Sequence, residues 1–199
     1  MTTSDLDASL RVLVVCTGNV CRSPLTAQLL RQAVRDLPVV VDSAGTGALV
    51  GEPMPPESLR IAADLDLDDA PWHRGAQLAR QSIAAADLVL TATRSHRRFV
   101  AETEPRAVRY TFTIREFSRL VDTSAPGPRR GGTTARERFA NAVRAVAASR
   151  ASVRQNVRHD DDLLDPFRQA THVYEQSARE ITDALPPIVA SLRSVFIQP

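Results

Sequence analysis

Arg11 to Pro24, RVLVVCTGNVCRSP, is the stretch that decides the fold. Its first part, Arg11 to Cys16, is a short β-branched apolar run closed by a Gly18-Asn19 turn, the pattern of a strand buried on both faces in a parallel sheet. Its end, Ser23-Pro24, reads as an N-cap and first-turn pair, and Leu25, Leu29, Ala33, Val34 and Leu37 follow at helical spacing. Further along, Val39 to Asp42 reads as a second strand. Ala76 to Ala86 reads as a helix leading into a third strand at Asp87 to Thr91, and Ala107 to Thr111 as a fourth strand. Strands alternating with helices predict an α/β fold, its parallel sheet covered on both faces and joined by right-handed crossovers.

Between Asp122 and Asp162 the composition changes. Ser124 to Gly132 (SAPGPRRGG) has the residues of a flexible connection. Ala135, Phe139, Ala142, Val143, Val146, Val153 and Val157 then line one face of a helix whose opposite face is rich in arginine. That is the pattern of a solvated amphipathic helix packed on the domain, with a docking surface for an acidic partner as the alternative. Phe167 to Phe196 is helical in pattern, and Pro186-Pro187 predict an end or kink near Ala184. A chain of 199 residues suffices for one substantial core and is short for two. Residues 1–199 therefore read as a single domain with an extended basic helical connection at about 122–160.

All 25 basic residues are arginine, yet the net charge is only +2 and aromatic residues make up 5%, too little charge or stacking surface to expect nucleic acid as a partner. No apolar run approaches the roughly 18 residues of a membrane span. The N-terminus, with Asp5 and Asp7 before a short apolar run, lacks a secretory pattern, so the expected setting is cytoplasmic and away from membranes. Cys16 and Cys21 are too close in sequence to staple the fold.

Their value lies in the loop. Cys16, Thr17, Gly18, Asn19, Val20, Cys21, Arg22 and Ser23 join the first strand to the first helix, where backbone N–H groups converge at the strand's carboxyl end and an anion is expected to bind. Gly18 and Asn19 tolerate the left-handed backbone that turns successive N–H groups inward. Arg22 offers a planar fork for two oxygens of a tetrahedral dianion. The same field favours the thiolate of Cys16, the form that attacks phosphorus, with Ser23 placed to donate to it. Cys21, the other thiol, reads either as a partner that rescues an oxidised Cys16 through a disulfide or as filler of an apolar gap behind the loop.

VCTGNVCRSP resembles the signature of the low-molecular-weight protein tyrosine phosphatases, and four further stretches support the likeness: VDSAGTG at 41–47, HRGAQL at 73–78, DLVLTAT at 87–93 and DPF at 165–167. The resemblance implies a three-layer α/β/α fold with a four-stranded parallel sheet, no metal and no organic cofactor. It implies that a phosphorylated protein carrying phosphotyrosine, or a small aryl phosphate, is the substrate and inorganic phosphate the product. It also implies that Asn19, Ser43 and His73 form a hydrogen-bond network holding the loop. Each of the three has a plain structural reading beside it: a turn residue, a loop-capping hydroxyl, a satisfied histidine.

Among the acids at 160–165 only Asp165 precedes a proline, which would hold its carboxylate stiffly at the start of the final helix; pattern and resemblance both make it the general acid, with Asp160, Asp161 and Asp162 read as solvated. The chain departs from the family where the substrate's ring would lie. Leu49 stands where an aromatic residue is common, and Phe167 is followed by Arg168 where a second ring is frequent. Ala76 and Ala92 also replace frequent arginine and methionine. Two other functions compete. An arsenate reductase drawing on a small-molecule thiol needs no further cysteine, and a silent phosphotyrosine-binding module needs only the cradle, although Cys16, Arg22 and Asp165 are all retained here.

Overall fold

The structure is a computed structural model that describes residues 9–123, 132–153 and 160–196. β1 (Leu10–Cys16) runs up the middle of the sheet, and all of its residues but Arg11 are buried. β-Alternation divides its side chains between two cores. Leu10, Val12, Val14 and Cys16 face the larger one, and Leu13 and Val15 the smaller.

β2 (Val39–Gly45), β3 (Leu88–Thr91) and β4 (Thr111–Thr113) complete a sheet of order β2-β1-β3-β4. Every pairing is parallel, and Cys16 is level with Gly45 at the carboxyl edge where Thr91 and Thr113 also end. On the larger core pack α1 (Arg22–Ala33), α2 (Pro56–Asp64), α5 (Ile114–Thr123), α6 (Ala135–Val153) and α7 (Thr171–Ser194). The smaller core is covered by α3 (Arg80–Ala85) and α4 (Arg94–Thr103), through Ile83 and Val100. The three-layer α/β/α arrangement with its loop between the first strand and first helix is as the sequence implied.

Several boundaries differ from the sequence reading. The helix expected over Ala76 to Ala86 is confined to α3, because Gln77 bridges Gly45 and extends the sheet's edge instead. The fourth strand lies at Thr111–Thr113, after a 3-10 turn over Pro105–Arg109 nucleated by Pro105 and capped by the Glu104 carboxylate, which accepts from Arg106 N. The first helix begins at Arg22, so Ser23 is inside it and is not its cap; its hydroxyl is engaged by Cys16 and Asn19. The final helix starts at Thr171 and runs through Pro186 and Pro187 without ending. An interior proline costs about 3 kcal/mol, but Ile181, Leu185, Ile188 and Leu192 are buried on one continuous face, each contributing roughly 1.5–3 kcal/mol. The carbonyls left without a donor, those of Thr182 and Asp183, lie on the half-exposed and exposed side.

The arginine-rich face of α6 is not simply solvated. Arg136 pairs with Asp87 at 3.2 Å, Arg138 donates to the Val195 carbonyl at 2.9 Å, and Arg150 pairs with Glu116 at 3.0 Å while its guanidinium lies 3.9 Å from the centroid of the Phe112 ring. Phe139, Val143 and Val146 are buried as expected. Val157 and most of the connection at 124–132 lie outside the described residues. Among the described residues no helix is long and apolar enough to cross a membrane.

Candidate active site

The loop after β1 is shaped by what holds its carbonyls. The Cys16, Thr17 and Gly18 carbonyls accept from Thr46 N, Gly47 N and Leu49 N at 2.9, 3.1 and 3.0 Å, and the Asn19 carbonyl accepts from His73 Nε2 at 2.7 Å. In a planar trans peptide the N–H points opposite to the C=O. Four carbonyls drawn outward therefore turn the following four N–H groups inward, toward the side where the sequence places an anion. The 46–49 turn comes this close because position 45 has no side chain: a Cβ at Gly45 would lie 2.3 Å from the Thr17 carbonyl oxygen.

Only one loop residue adopts the left-handed backbone. It is Asn19, at φ 54°, and not Gly18. Asparagine tolerates that conformation when its short side chain bonds locally, and here the side chain is fully engaged. Its Nδ2 donates to Ser23 Oγ and to Ser43 Oγ, both at 2.9 Å, and its Oδ1 accepts from Ala76 N at 2.9 Å. Asn19, Ser43 and His73 thus meet in one network. Since a carbonyl only accepts, His73 carries its proton on Nε2. Burial holds its imidazole below the ordinary value, against the opposing pull of the Asn19 carbonyl.

Cys16 is buried, with its Sγ 2.9 Å from Ser23 Oγ. Because that oxygen already accepts from Asn19, its own hydrogen is free to donate to sulfur. Arg22, 4% exposed, extends Nη2 to Asp165 Oδ2 at 2.6 Å and Nη1 to the Leu163 carbonyl at 3.4 Å, while its Nε is buried without a hydrogen-bond partner. Buried donors are rarely left so.

Asp165 sits in a turn before α7, not in its first turn. Its Oδ1 accepts from Phe167 N at 3.2 Å, and Gln169 N closes on the Pro166 carbonyl. The neighbouring acids, expected to be solvated, hold this loop down. Asp162 accepts from Arg94 N, Nε and Nη2 at 2.7, 3.1 and 3.0 Å, and Asp161 pairs with Arg119 at 3.0 Å. Asp160 reaches only 3.9 Å from Arg94. Desolvation works against the Asp162 carboxylate, but its bonds from Arg94 win and hold it below the usual range.

The remaining predicted residues divide by side. Val20 and Cys21 point into the core behind the loop, so only their backbone is left for the loop's inner side. Burial pushes the Cys21 thiol up to about 12, opposed by a bond from the Ser58 hydroxyl. With Arg22, Leu25, Ser58, Ile61 and Tyr174 it lines a water-sized cavity, as the packing reading expected, and a disulfide to Cys16 would require it to leave that position. Leu49 is exposed and lies beside Gly18, and Phe167 is half-buried with the Arg168 guanidinium 5.1 Å from its ring centroid. Among the described residues no group of three or more His, Cys, Asp or Glu side chains could hold a metal ion.

Two participants escaped the sequence reading. His96 contacts Thr17 and Thr93, and the Tyr174 hydroxyl accepts from Arg168 N at 3.3 Å, steadying the acid loop. A lone histidine and a helical tyrosine carry no spacing that marks them.

Residues 11–153 match the family described as low molecular weight phosphotyrosine protein phosphatase. The chain belongs to that family. It is 36% identical over 109 residues to a probable low molecular weight protein-tyrosine-phosphatase, EpsP, of Ralstonia solanacearum, covering 55% of this chain and 73% of the relative. It is 36% identical over 119 residues to a protein-arginine-phosphatase of Geobacillus stearothermophilus, covering 59% and 78%. The solved structure of the YwlE arginine phosphatase from that organism superposes with a TM-score of 0.67 at 27% identity, over 93% of this chain and 94% of the other. The phosphatase family match ends before the acid loop, so Asp165 stands on geometry: the carboxylate that closes the Arg22 fork.

Proposed function

We propose that this phosphatase hydrolyses phosphate monoesters, phosphotyrosine in proteins foremost, through a cysteinyl-phosphate on Cys16. The observation that carries this reading is the Arg22 guanidinium, buried on the same loop as Cys16, its Nε unpartnered and its fork closed by a carboxylate where a dianion would sit. The inward N–H groups and Arg22 bind the non-bridging oxygens. The Cys16 thiolate attacks phosphorus; as the S–P bond forms, the P–O bond to the alcohol breaks and Asp165 gives its proton to the departing oxygen. Water then attacks phosphorus, Asp165 takes the water's proton, and the thiolate leaves against the Ser23 hydroxyl with inorganic phosphate as the product. Every step uses side chains of this chain and water.

Leu49 and Phe167 present apolar surface for an aryl ring, which supports tyrosine phosphate over a phosphorylated guanidinium. The two free cysteines suit a reducing cytoplasm, and one domain over residues 1–199 remains our reading of the chain's organisation. The test is phosphate release by the purified protein from para-nitrophenyl phosphate, then from matched peptides phosphorylated on tyrosine or on arginine. Faster release from the tyrosine peptide is expected, and the reverse order would move the substrate to phosphoarginine. Binding of the tyrosine peptide without turnover would identify a binding module. Consumption of arsenate with a small thiol, in the absence of ester hydrolysis, would identify a reductase.

A further inference from the structure

His96 is buried at the first turn of α4, and both ring nitrogens are held by threonine hydroxyls. Nδ1 is 2.7 Å from Thr93 Oγ1 and Nε2 is 2.9 Å from Thr17 Oγ1. Thr17 directly follows Cys16 and its side chain is exposed at the loop. We infer that His96 is a positioning residue for the hydrolysis, fixing the Thr17 hydroxyl so that its hydrogen is presented to the bound phosphate as one side-chain donor beyond the loop amides and Arg22. The inference rests on the reading of residues 16–23 as the phosphate cradle.

The direction of the relay is set by the anion that residues 16–23 are read to hold. Thr93 caps α4, its Oγ1 accepting from His96 N at 3.3 Å. The hydroxyl keeps its hydrogen for Nδ1, which then accepts. The ring's proton then resides on Nε2 and is donated to Thr17 Oγ1. Thr17 accepts from His96, and its own hydrogen is left for another acceptor. The opposite tautomer would spend that hydrogen on Nε2 and turn only lone pairs toward a dianion, an arrangement the anion itself disfavours. The relay requires an uncharged ring. Burial first, and then the Arg22 guanidinium, push His96 down to about 4 against the pull of Asp165 and Asp162, so it is neutral throughout the working range.

The test is competitive inhibition of para-nitrophenyl phosphate hydrolysis by inorganic phosphate. The inhibition constant reports the cradle's affinity and does not change when a variant merely lowers the amount of folded enzyme. Thr17→Val is expected to raise it about tenfold, the size of one charge-assisted hydrogen bond. His96→Leu should raise it by a similar factor, and the double variant no further, because both changes remove one interaction. Thr17→Ser should restore the wild-type constant, and His96→Gln, whose amide N–H can reach Thr17, should recover part of it. Thr17 is exposed, so its variants give a result even if His96→Leu fails to fold. An unchanged constant in Thr17→Val, or losses that add in the double variant, overturns the positioning role while leaving the phosphatase reading intact. A wild-type protein that neither hydrolyses the ester nor binds phosphate overturns both.

Discussion

Behind the phosphate loop, Asn19, Ser23, Ser43 and His73 form a lattice of neutral groups; in front of it, Arg22 and Asp165 are opposite charges 2.6 Å apart, with the Asp165 side chain 54% exposed. The back fixes shape. Its hydrogen bonds are short-range, buried or part-buried and mutually satisfied, and each buried group orphaned there costs about 1–3 kcal/mol. The front stores charge. Only the Asp165 end of the pair is open to water, and the buried Arg22 end needs a negative partner at all times, a need that a phosphate dianion at the same fork would meet in place of the carboxylate. Shape and charge are thereby separated, and on the proposed reading substrate exchanges with Asp165 at Arg22 without disturbing the loop that places the sulfur.

The largest break in this comparison comes from removing the reacting atom between the two sides. Cys16→Ser is expected to lower turnover at least ~10⁴-fold, since a hydroxyl without an adjacent base is a poor nucleophile, while phosphate and vanadate still bind because the amides and Arg22 remain. Isothermal titration alongside para-nitrophenyl phosphate kinetics checks both halves; substantial residual hydrolysis would remove Cys16 from the mechanism. Next in size is Asp165→Asn, a change confined to the front. It should slow tyrosine phosphate hydrolysis about 10²-fold or more and spare activated aryl esters, whose leaving groups need little protonation. Equal losses across a leaving-group series would mean that the carboxylate positions Arg22 and does not transfer the proton.

Asn19→Ala tests the back in isolation. It removes two donors and an acceptor from a fully buried site and puts alanine at φ 54°, for an expected loss of about 3 kcal/mol. Urea unfolding should show a lower midpoint at unchanged slope. If stability barely moves and only the kinetics suffer, the back is tuned for chemistry and not for holding the fold.

The fold and the position of the loop after β1 were legible because their signals are local. Arg11 to Cys16 declares a buried strand, and its junction with Arg22 announces an anion site. Gly18 and Ser23 were misread for one reason. A Gly-Asn pair and a Ser-Pro pair each have ordinary backbone duties, and only the tertiary partners at Ser43, Ala76 and Cys16 show that Asn19 takes the turn alone while Ser23 leaves capping for the sulfur. Asp161 and Asp162 look solvated until Arg119 and Arg94 arrive from other helices. The prolines of α7 contradict a helix locally and are overruled by a buried face that periodicity alone does not weigh against them.

His96 sharpens the comparison at its smallest scale. Burial lowers it first and it lies in the field of the front, lowered further by Arg22 and raised by Asp165, yet it is bonded like the back, neutral between two hydroxyls. Its folded value of about 4 is below the ordinary 6.5, so the unfolded chain binds this proton first as the pH falls. The stability it contributes is therefore complete above pH ~6.5 and is lost progressively between there and pH ~4, where the folded form also protonates. His73, lowered in the same direction, adds to the slope. Lowered carboxylates such as Asp162 act in the opposite range: their contribution persists until the pH falls through the ordinary carboxylate value, so the histidine window lies largely above theirs. Urea midpoints between pH 7 and 5 should fall by the equivalent of about 2 kcal/mol more in the wild type than in His96→Gln. Parallel curves would mean that His96 titrates near its ordinary value, open to water and not sealed between Thr93 and Thr17.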